Sequence, residues 1–153
     1  MNSNARIIYT DGAAPNNQNG CKQGGIGVAV LDQNGEVEVT ISQPVQPLPG
    51  CSYTTNSRCE LLAFVTGLEA AQNDDTIYSD SKYVVDGYNQ WLKSWVANGW
   101  RKSGNKKIEH LDLWQQVYAL KQVKRQVSVC WVKGHSTSYG NFLSDKLARN
   151  ACS

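Results

Sequence analysis

The sequence predicts an α/β fold: a five-stranded mixed sheet, its first three strands antiparallel, flanked by helices. Three observations lead to this prediction. The first three regular segments all have strand patterns, later strand patterns alternate with helical ones, and the order along the chain is βββαβααβα. With 153 residues, 41% of them hydrophobic, the chain can bury one core but not two, so residues 1–153 are predicted to form a single domain.

Strand patterns dominate the beginning of the chain. Residues 7–10 are a short run of β-branched and aromatic side chains that stops at Asp11, and residues 25–31 form a second strand. After a turn at residues 32–35, residues 36–41 alternate polar and apolar side chains. A period of two is typical of a half-buried strand, so the third strand is predicted to pair antiparallel with the second.

A proline-rich loop separates these strands from the first helix. Residues 43–53 hold three of the four prolines and are predicted to be a loop. Residues 54–57 then offer several N-caps for a helix that runs to about Ala71. The apolar stripe of this helix consists of Leu61, Val65 and Leu68.

Helices and two short strands alternate in the second half. Residues 76–79 form the fourth strand, and Asp80 and Ser81 end it and cap a helix over residues 82–96. Residues 100–109 are polar, carry four basic side chains and are predicted to be an exposed loop. We then expect a helix over residues 112–122, a strand over residues 127–132 and a last helix that begins near Asn141.

Four acidic residues lie in local patterns that fit one metal site. Asp11 and Asp80 stand where a strand run ends, whereas Glu60 and Asp145 stand inside helical patterns. If their strands are neighbours, Asp11 and Asp80 meet at the sheet edge where α/β proteins usually bind ligands. Clustered carboxylates need cations, and oxygen-only ligands favour Mg²⁺ or Mn²⁺ over zinc.

This cluster has two interpretations. In the functional one, two metal ions about 4 Å apart lie between the acids and promote phosphodiester hydrolysis. In the other, the four are unrelated surface acids, because the chain has 13 acidic residues. His135 has a similar choice: a mobile imidazole in a polar loop that takes a proton from water or helps release metal and product, or an ordinary exposed histidine.

Tryptophans and basic residues form a second candidate surface. One interpretation is an aromatic stem with a basic loop that follows a nucleic-acid backbone, and the other is a packed helix tipped with solvated lysines. Both hold if the tryptophans pack and the lysines contact phosphates. The residues concerned are Trp91, Trp95, Trp100, Arg101, Lys102, Lys106 and Lys107. His110, at a helix start, is left open between a cap-region residue, a phosphate contact and neither.

Composition and charge exclude several classes. The net charge of +2 is too small for a basic nucleic-acid coat. Five cysteines, an odd number without a Cys-x-x-Cys pair, argue against a disulfide framework and a zinc site, so free thiols are expected. No apolar stretch fits a signal peptide or membrane span, so we expect a cytoplasmic protein without membrane association.

Six segments, taken in order, resemble the type 1 ribonuclease H family and cover nearly the whole chain. They are Tyr-Thr-Asp11-Gly, Gly25-Ile-Gly27, Thr54-Thr55-Asn56-x-Arg58-x-Glu60-Leu, Ser-Asp80-Ser-x-Tyr-Val, Gln-Trp91-x-x-x-Trp95-x-x-x-Gly-Trp100, and Val-Lys-Gly-His135 through Asn141-x-x-x-Asp145-x-Leu-Ala-Arg149. The resemblance implies the ribonuclease H-like fold and an endonuclease that hydrolyses the RNA strand of RNA/DNA hybrids, leaving 3′-hydroxyl and 5′-phosphate ends.

The resemblance also implies roles for individual residues. Asp11, Glu60, Asp80 and Asp145 would bind two Mg²⁺ ions, which Mn²⁺ can replace, and His135 would be the auxiliary base or product-release residue. The substrate-binding set would comprise Asn17 and Asn56 at 2′-hydroxyls, Thr55 at a DNA phosphate, Asn141 beside the acids, and a basic protrusion with Trp91, Trp95, Trp100, Arg101 and Lys102. The family is usually monomeric, and no obligate protein partner is implied.

Departures from the family pattern leave alternatives. Only Lys93 is basic between Trp91 and Trp100, so the grip on the hybrid is expected to be weaker or to shift to the basic side chains that follow Trp100. His110 stands where the family often has an asparagine. A related two-metal nuclease and a non-catalytic RNA/DNA-hybrid-binding module of the same fold are the competing hypotheses, and the presence of all four acids favours the enzyme.

Overall fold

Five strands form one mixed sheet in a computed structural model that describes residues 4–14, 23–51, 53–134 and 138–152. The strands are β1 (Ile7–Ala13), β2 (Gly24–Leu31), β3 (Val37–Val45), β4 (Thr76–Ser79) and β5 (Ser128–Trp131). Their spatial order is β3-β2-β1-β4-β5. β1, β2 and β3 pair antiparallel, whereas β4 lies parallel to both β1 and β5. The predicted mixed sheet, with its first three strands antiparallel, is confirmed.

The described residues also form five α-helices: α1 (Asn56–Ala70), α2 (Lys82–Asp86), α3 (Leu92–Ala97), α4 (Leu111–Val123) and α5 (Tyr139–Ala151). A π-helical turn, Gly87–Trp91, joins α2 to α3, so the two form one interrupted helix. Counting that helix once gives the predicted order βββαβααβα. The Trp114 ring packs directly on Gly87, where a Cβ would lie 2.1 Å from the ring.

The sheet has a thick hydrophobic layer on one face and a single close-packed helix on the other. α1 and the helices α2–α4 bury the first face, and the predicted stripe of Leu61, Val65 and Leu68 belongs to this core. On the second face α5 lies so close to β2 that a Cβ at Gly27 would be 2.1 Å from the carbonyl oxygen of Ser144. Small residues on both elements therefore bring α5 against the sheet.

Several element bounds differ from the sequence prediction. β1 continues past Asp11, because its pairing with β2 runs to Ala13 whereas its pairing with β4 ends at Thr10. β3 extends to Val45, although Pro44 suggested a loop, because β3 is an edge strand and an edge tolerates a residue without an N–H. α5 begins at Tyr139, two residues before the predicted start.

Two further expectations concern the cysteines and the helices. Cys51, Cys59, Cys130 and Cys152 are free thiols, and Cys21 lies outside the described residues. Across the described ranges, no helix combines the length and the apolar character that crossing a membrane requires.

Replacing Gly27 by alanine is expected to destabilise the protein. The added Cβ would meet the Ser144 carbonyl oxygen at 2.1 Å and the Ala148 nitrogen at 2.6 Å, so α5 must move away from the sheet. Overpacking of this kind costs about 1–3 kcal/mol, which urea unfolding detects as a lower midpoint. Thr40→Ala, at an exposed position on the neighbouring strand, is the matched control and should change the midpoint little. Equal midpoints for wild type and Gly27→Ala would contradict this close packing.

Candidate active site

The four predicted acids line one pocket at the end of the sheet where β1 and β4 finish. The pocket has a volume of about 390 Å³. It is lined by Asp11, Gly12, Asn56, Glu60, Asp80, Asn141, Phe142 and Asp145. Carboxylate oxygens of Asp11, Glu60 and Asp80 all lie within 4.8 Å of one another. The interpretation of the four as scattered surface acids is therefore wrong.

Close packing between β1 and α1 positions Glu60. Thr55 caps α1, its hydroxyl accepting a hydrogen bond from the N–H of Arg58. A Cβ at Gly12 would lie 2.3 Å from the Cys59 carbonyl carbon, so only glycine allows this approach. Because the two elements lie so close together, the Gly12 N–H donates a hydrogen bond to the Glu60 carboxylate. The inner acid on the helix is thus tied to the strand that carries Asp11.

Asp80 and Asp145 reach the pocket from the other side. Asp80 directly follows β4, and the indole N–H of Trp131 donates to its carbonyl oxygen at 3.2 Å. Asp145 lies on α5 and forms an ion pair with Arg149, one turn further along, at 2.8 Å. The Asp145 carboxylate lines the pocket without belonging to the inner trio.

Burial and nearby negative charges raise the pKa of Asp11 and of Glu60. Desolvation raises the pKa of Glu60 to about 11, and its hydrogen bond to Asp11 and the nearby charges act in the same direction. Desolvation likewise raises the pKa of Asp11 to about 7, although the hydrogen bond with Glu60 lowers it. The two groups titrate as a pair. At neutral pH the metal-free pair therefore holds a proton between its carboxyl groups.

The donor set fits a hard divalent cation. All four charged ligands are carboxylates, which magnesium and manganese prefer. Asn141 is 3% exposed, and its Oδ1 has no hydrogen-bond partner among the described residues. A buried acceptor without a partner costs free energy, which a cation with its hydration shell in this pocket would offset. Asp11, Glu60 and Asp80, with Asp145 beside them, are the residues that would hold it.

Polar side chains at the start of α1 extend the pocket towards His110. Asn56 Oδ1 accepts a hydrogen bond from the Ala14 N–H at 2.7 Å, which fixes the orientation of its amide. His110 Nε2 lies 3.4 Å from the Ser57 hydroxyl, which in turn lies 3.4 Å from that of Thr55. Burial lowers the pKa of His110, and the Arg58 charge acts the same way. A neutral imidazole therefore stands beside the two hydroxyls.

The predicted tryptophan and lysine residues form a separate groove of about 620 Å³. Trp91 and Trp95 line one wall, and Lys102 and Lys106 line another. Trp91 is 37% exposed, whereas Trp95 is only 8% exposed and packs edge-on against Trp114. The packing interpretation is confirmed for Trp95, and the open side of the helix is a groove with lysine side chains. That this groove follows a nucleic-acid backbone stays a prediction.

Other predicted residues lie elsewhere. Trp100 packs edge-on against Tyr118, with ring centroids 5.7 Å apart, and Arg101 is exposed on the same loop. Asn17 and His135 lie outside the described residues, so their roles stay predictions. Phe142 lines the acidic pocket and was missed by the sequence analysis, although it stands three residues before Asp145 and so on the same helix face.

Comparisons with known proteins agree with this arrangement. The family model for RNase H matches residues 3–153. A ribonuclease H of Francisella philomiragia is 44% identical over 147 residues, which cover 95% of this chain and 89% of that protein. The structure of LC9-RNase H1, a type 1 RNase H with the type 2 active-site motif, superposes with a TM-score of 0.77 at 28% identity, covering 99% of this chain and 74% of that one.

A viral enzyme shares the fold alone. The foamy viral protease-reverse transcriptase in complex with an RNA/DNA hybrid superposes with a TM-score of 0.82 at 23% identity, covering 98% of this chain and 20% of that one.

The metal-free protein is expected to lose stability as the pH rises. The contribution of Asp11 is fully present below its ordinary pKa of 3.8 and is lost as the pH rises through about 7. Glu60 loses its contribution progressively as the pH rises from its ordinary pKa of 4.5 to about 11. The melting temperature in EDTA should therefore fall between about pH 5 and about pH 8, at roughly 2–4 °C for each kcal/mol lost.

Added Mg²⁺ tests the same site. Because protons and cations compete for the carboxylates, Mg²⁺ should raise the melting temperature more at about pH 8 than at about pH 5. Asp11→Asn removes one of the two titrating groups and should reduce the pH dependence and weaken the Mg²⁺ effect, whereas Asp32→Asn, in the turn between β2 and β3, should do neither. A pH dependence as steep in Asp11→Asn as in wild type would contradict the assignment.

Proposed function

The chain belongs to the ribonuclease H family, and from that membership we propose that it hydrolyses the RNA strand of RNA/DNA hybrids, leaving 3′-hydroxyl and 5′-phosphate ends. We propose two Mg²⁺ ions as its cofactor, replaceable by Mn²⁺, on Asp11, Glu60, Asp80 and Asp145. The observation that carries the proposal is the carboxylate cluster within 4.8 Å, in the pocket that the four acids line. The protein is expected to act as a cytoplasmic monomer.

The protein supplies the carboxylates that would hold divalent ions for hydrolysis of a phosphodiester. When bound, such ions lower the pKa of water and neutralise charge that develops on the phosphate and the leaving oxygen. Asp11 and Glu60 would have to be ionised to hold such ions, since only ionised carboxylates are good ligands. The Gly12 N–H holds the Glu60 carboxylate in place, and Trp131 holds the backbone at Asp80.

Selection of the RNA strand follows from groups beside the acids. Only the RNA strand of a hybrid carries 2′-hydroxyls, so a site that requires contacts to them rejects DNA. Asn56 lines the pocket with its amide oxygen already accepting from Ala14, which leaves the amide NH₂ to donate to a 2′-hydroxyl. This geometry supports the proposed role of Asn56.

The DNA strand would lie next to the acidic pocket, along the polar groups at the start of α1. Thr55, Ser57 and the neutral His110 present hydroxyl and imidazole groups in one row at the start of α1, which suits a phosphate. The groove between Trp91 and Lys102 adds positive charge and an exposed ring. Backbone contacts of these kinds carry little sequence information, so cleavage should depend weakly on sequence.

Cleavage of one end-labelled RNA strand tests the proposal directly. The strand is presented as RNA/DNA hybrid, as RNA duplex and alone, with Mg²⁺ or with EDTA. We expect Mg²⁺-dependent cutting of the hybrid only. Asp80→Asn should reduce the rate by more than about a hundredfold, because even groups one shell beyond a metal ligand contribute about 10–100-fold. Asp32→Asn serves as the matched control.

The outcomes separate catalysis from binding. Removing one of several mutually repelling charges should not destabilise the fold, so an unchanged melting temperature would show that Asp80→Asn is folded. Intact RNA in every lane with the wild-type protein, together with retained hybrid binding, would instead favour the non-catalytic binding module.

Salt dependence tests the groove. Each phosphate contact contributes about 0.9 to the slope of log K against log salt for double-helical DNA, and we expect a similar contribution here. Lys106→Ala removes one such contact and should therefore reduce the magnitude of the slope for hybrid binding by about 0.9. The slope is measured by fluorescence anisotropy with Asp80→Asn protein in EDTA. Arg125→Ala removes an exposed charge just after α4, away from the groove, and should leave the slope unchanged. Equal slopes in the two variants would contradict the assignment of the groove.

A further inference from the structure

Phe142 carries an aromatic ring at a position where the ring does not pack into the core. The buried face of α5 consists of Gly140, Asn141, Ser144 and Ala148. Phe142 lies off this face and is 55% exposed, more than most large hydrophobic side chains of the chain. None of the ring pairs found within the described residues includes it. Single exposed hydrophobics are common, so exposure alone would mean little.

The location of Phe142 in the acidic pocket indicates a role for its exposed ring. It lines the acidic pocket, where the other described lining residues are carboxylates, two asparagines and a glycine. No lysine or arginine is among the pocket's described lining residues, so a polyanionic strand meets repulsion there until cations bind. An aromatic side chain is the one group in this pocket that contacts a nucleotide without adding charge or needing a hydrogen bond.

We infer that Phe142 is a substrate-contact residue, whose ring packs against the sugar of a nucleotide next to the scissile phosphate on the cleaved strand. The inference rests on the proposed function, because that function brings this strand across the pocket. The ring adds an apolar contact on the helix turn that carries Asp145, three residues further along. It contributes to holding the strand and not to the chemical step, since a phenyl ring transfers no proton and has no oxygen ligand for a hard divalent cation.

Kinetics with Phe142→Ala and Phe142→Tyr test the inference. Removing about 40 Å² of apolar surface from water changes binding by about fivefold, so Phe142→Ala should raise KM for the hybrid by about that factor while kcat changes little. Phe142→Tyr keeps the ring and should restore KM. Tyr139→Ala is the matched control, because Tyr139 is 57% exposed on the same helix but is not among the described residues that line the pocket.

A binding measurement makes the result independent of turnover. In the Asp80→Asn background, Phe142→Ala should weaken hybrid binding by a similar factor in fluorescence anisotropy. The shift of melting temperature on adding Mg²⁺ to protein without this background should be the same in Phe142→Ala as in wild type, since the acids are untouched.

Three results would overturn the inference. One is a KM and a dissociation constant for Phe142→Ala within twofold of the parent protein. Another is a lost Mg²⁺ shift in Phe142→Ala, which would place the effect on the acidic cluster. The third is an equal loss in Tyr139→Ala, which would assign the effect to the helix surface in general. If wild type binds the hybrid without cutting it, the proposed function fails, and the anisotropy comparison still decides the role of Phe142.

Discussion

Repulsion among the carboxylates of Asp11, Glu60 and Asp80 is the constraint that the rest of the structure must meet. Three acids with oxygens within 4.8 Å of one another separate unless rigid elements hold them. Each comes from a different kind of element: a central strand, the helix packed on it, and the end of a parallel strand beside it. The core under these elements resists their separation, so packing of the sheet is what keeps the charges together.

Glycine residues allow the helices to pack closely against the sheet. At Gly12 the strand approaches α1 so closely that a Cβ would lie 2.3 Å from its backbone, and at Gly140 the helix α5 lies directly on the Tyr9 ring. Larger side chains at these positions would widen the gaps between layers. The acids belong to the same layers, so small residues that carry no functional side chain determine the dimensions of the pocket.

The sequence predicted the element order and the four acids because both depend on local patterns. Alternation and turn residues mark the strands, and Asp80 stands at a strand-to-helix junction that survives in the structure. The prediction from the sequence was wrong where a neighbouring strand determines the bounds of an element. β1 outruns its expected end because β2 pairs with it beyond Asp11, and Pro44 stays in a strand because β3 is at the edge. Phe142 was missed because exposure of an aromatic is a property of the assembled layers and not of its local pattern.

The π-helical turn between α2 and α3 limits how this helix can change in length. The turn holds an extra residue. Two hydrogen bonds tie it to neighbouring elements: Lys121 donates to the Tyr88 carbonyl, and the Asn89 side chain donates to the Val129 carbonyl on β5. Residues of an α-helix are spaced about 100° apart around its axis. Deleting one residue here would restore a regular helix and rotate Trp95 away from Trp114. Insertions and deletions between Lys82 and Ala97 are therefore tolerated only when they preserve the angular position of the tryptophans, so evolutionary drift in this segment is expected to proceed by substitution.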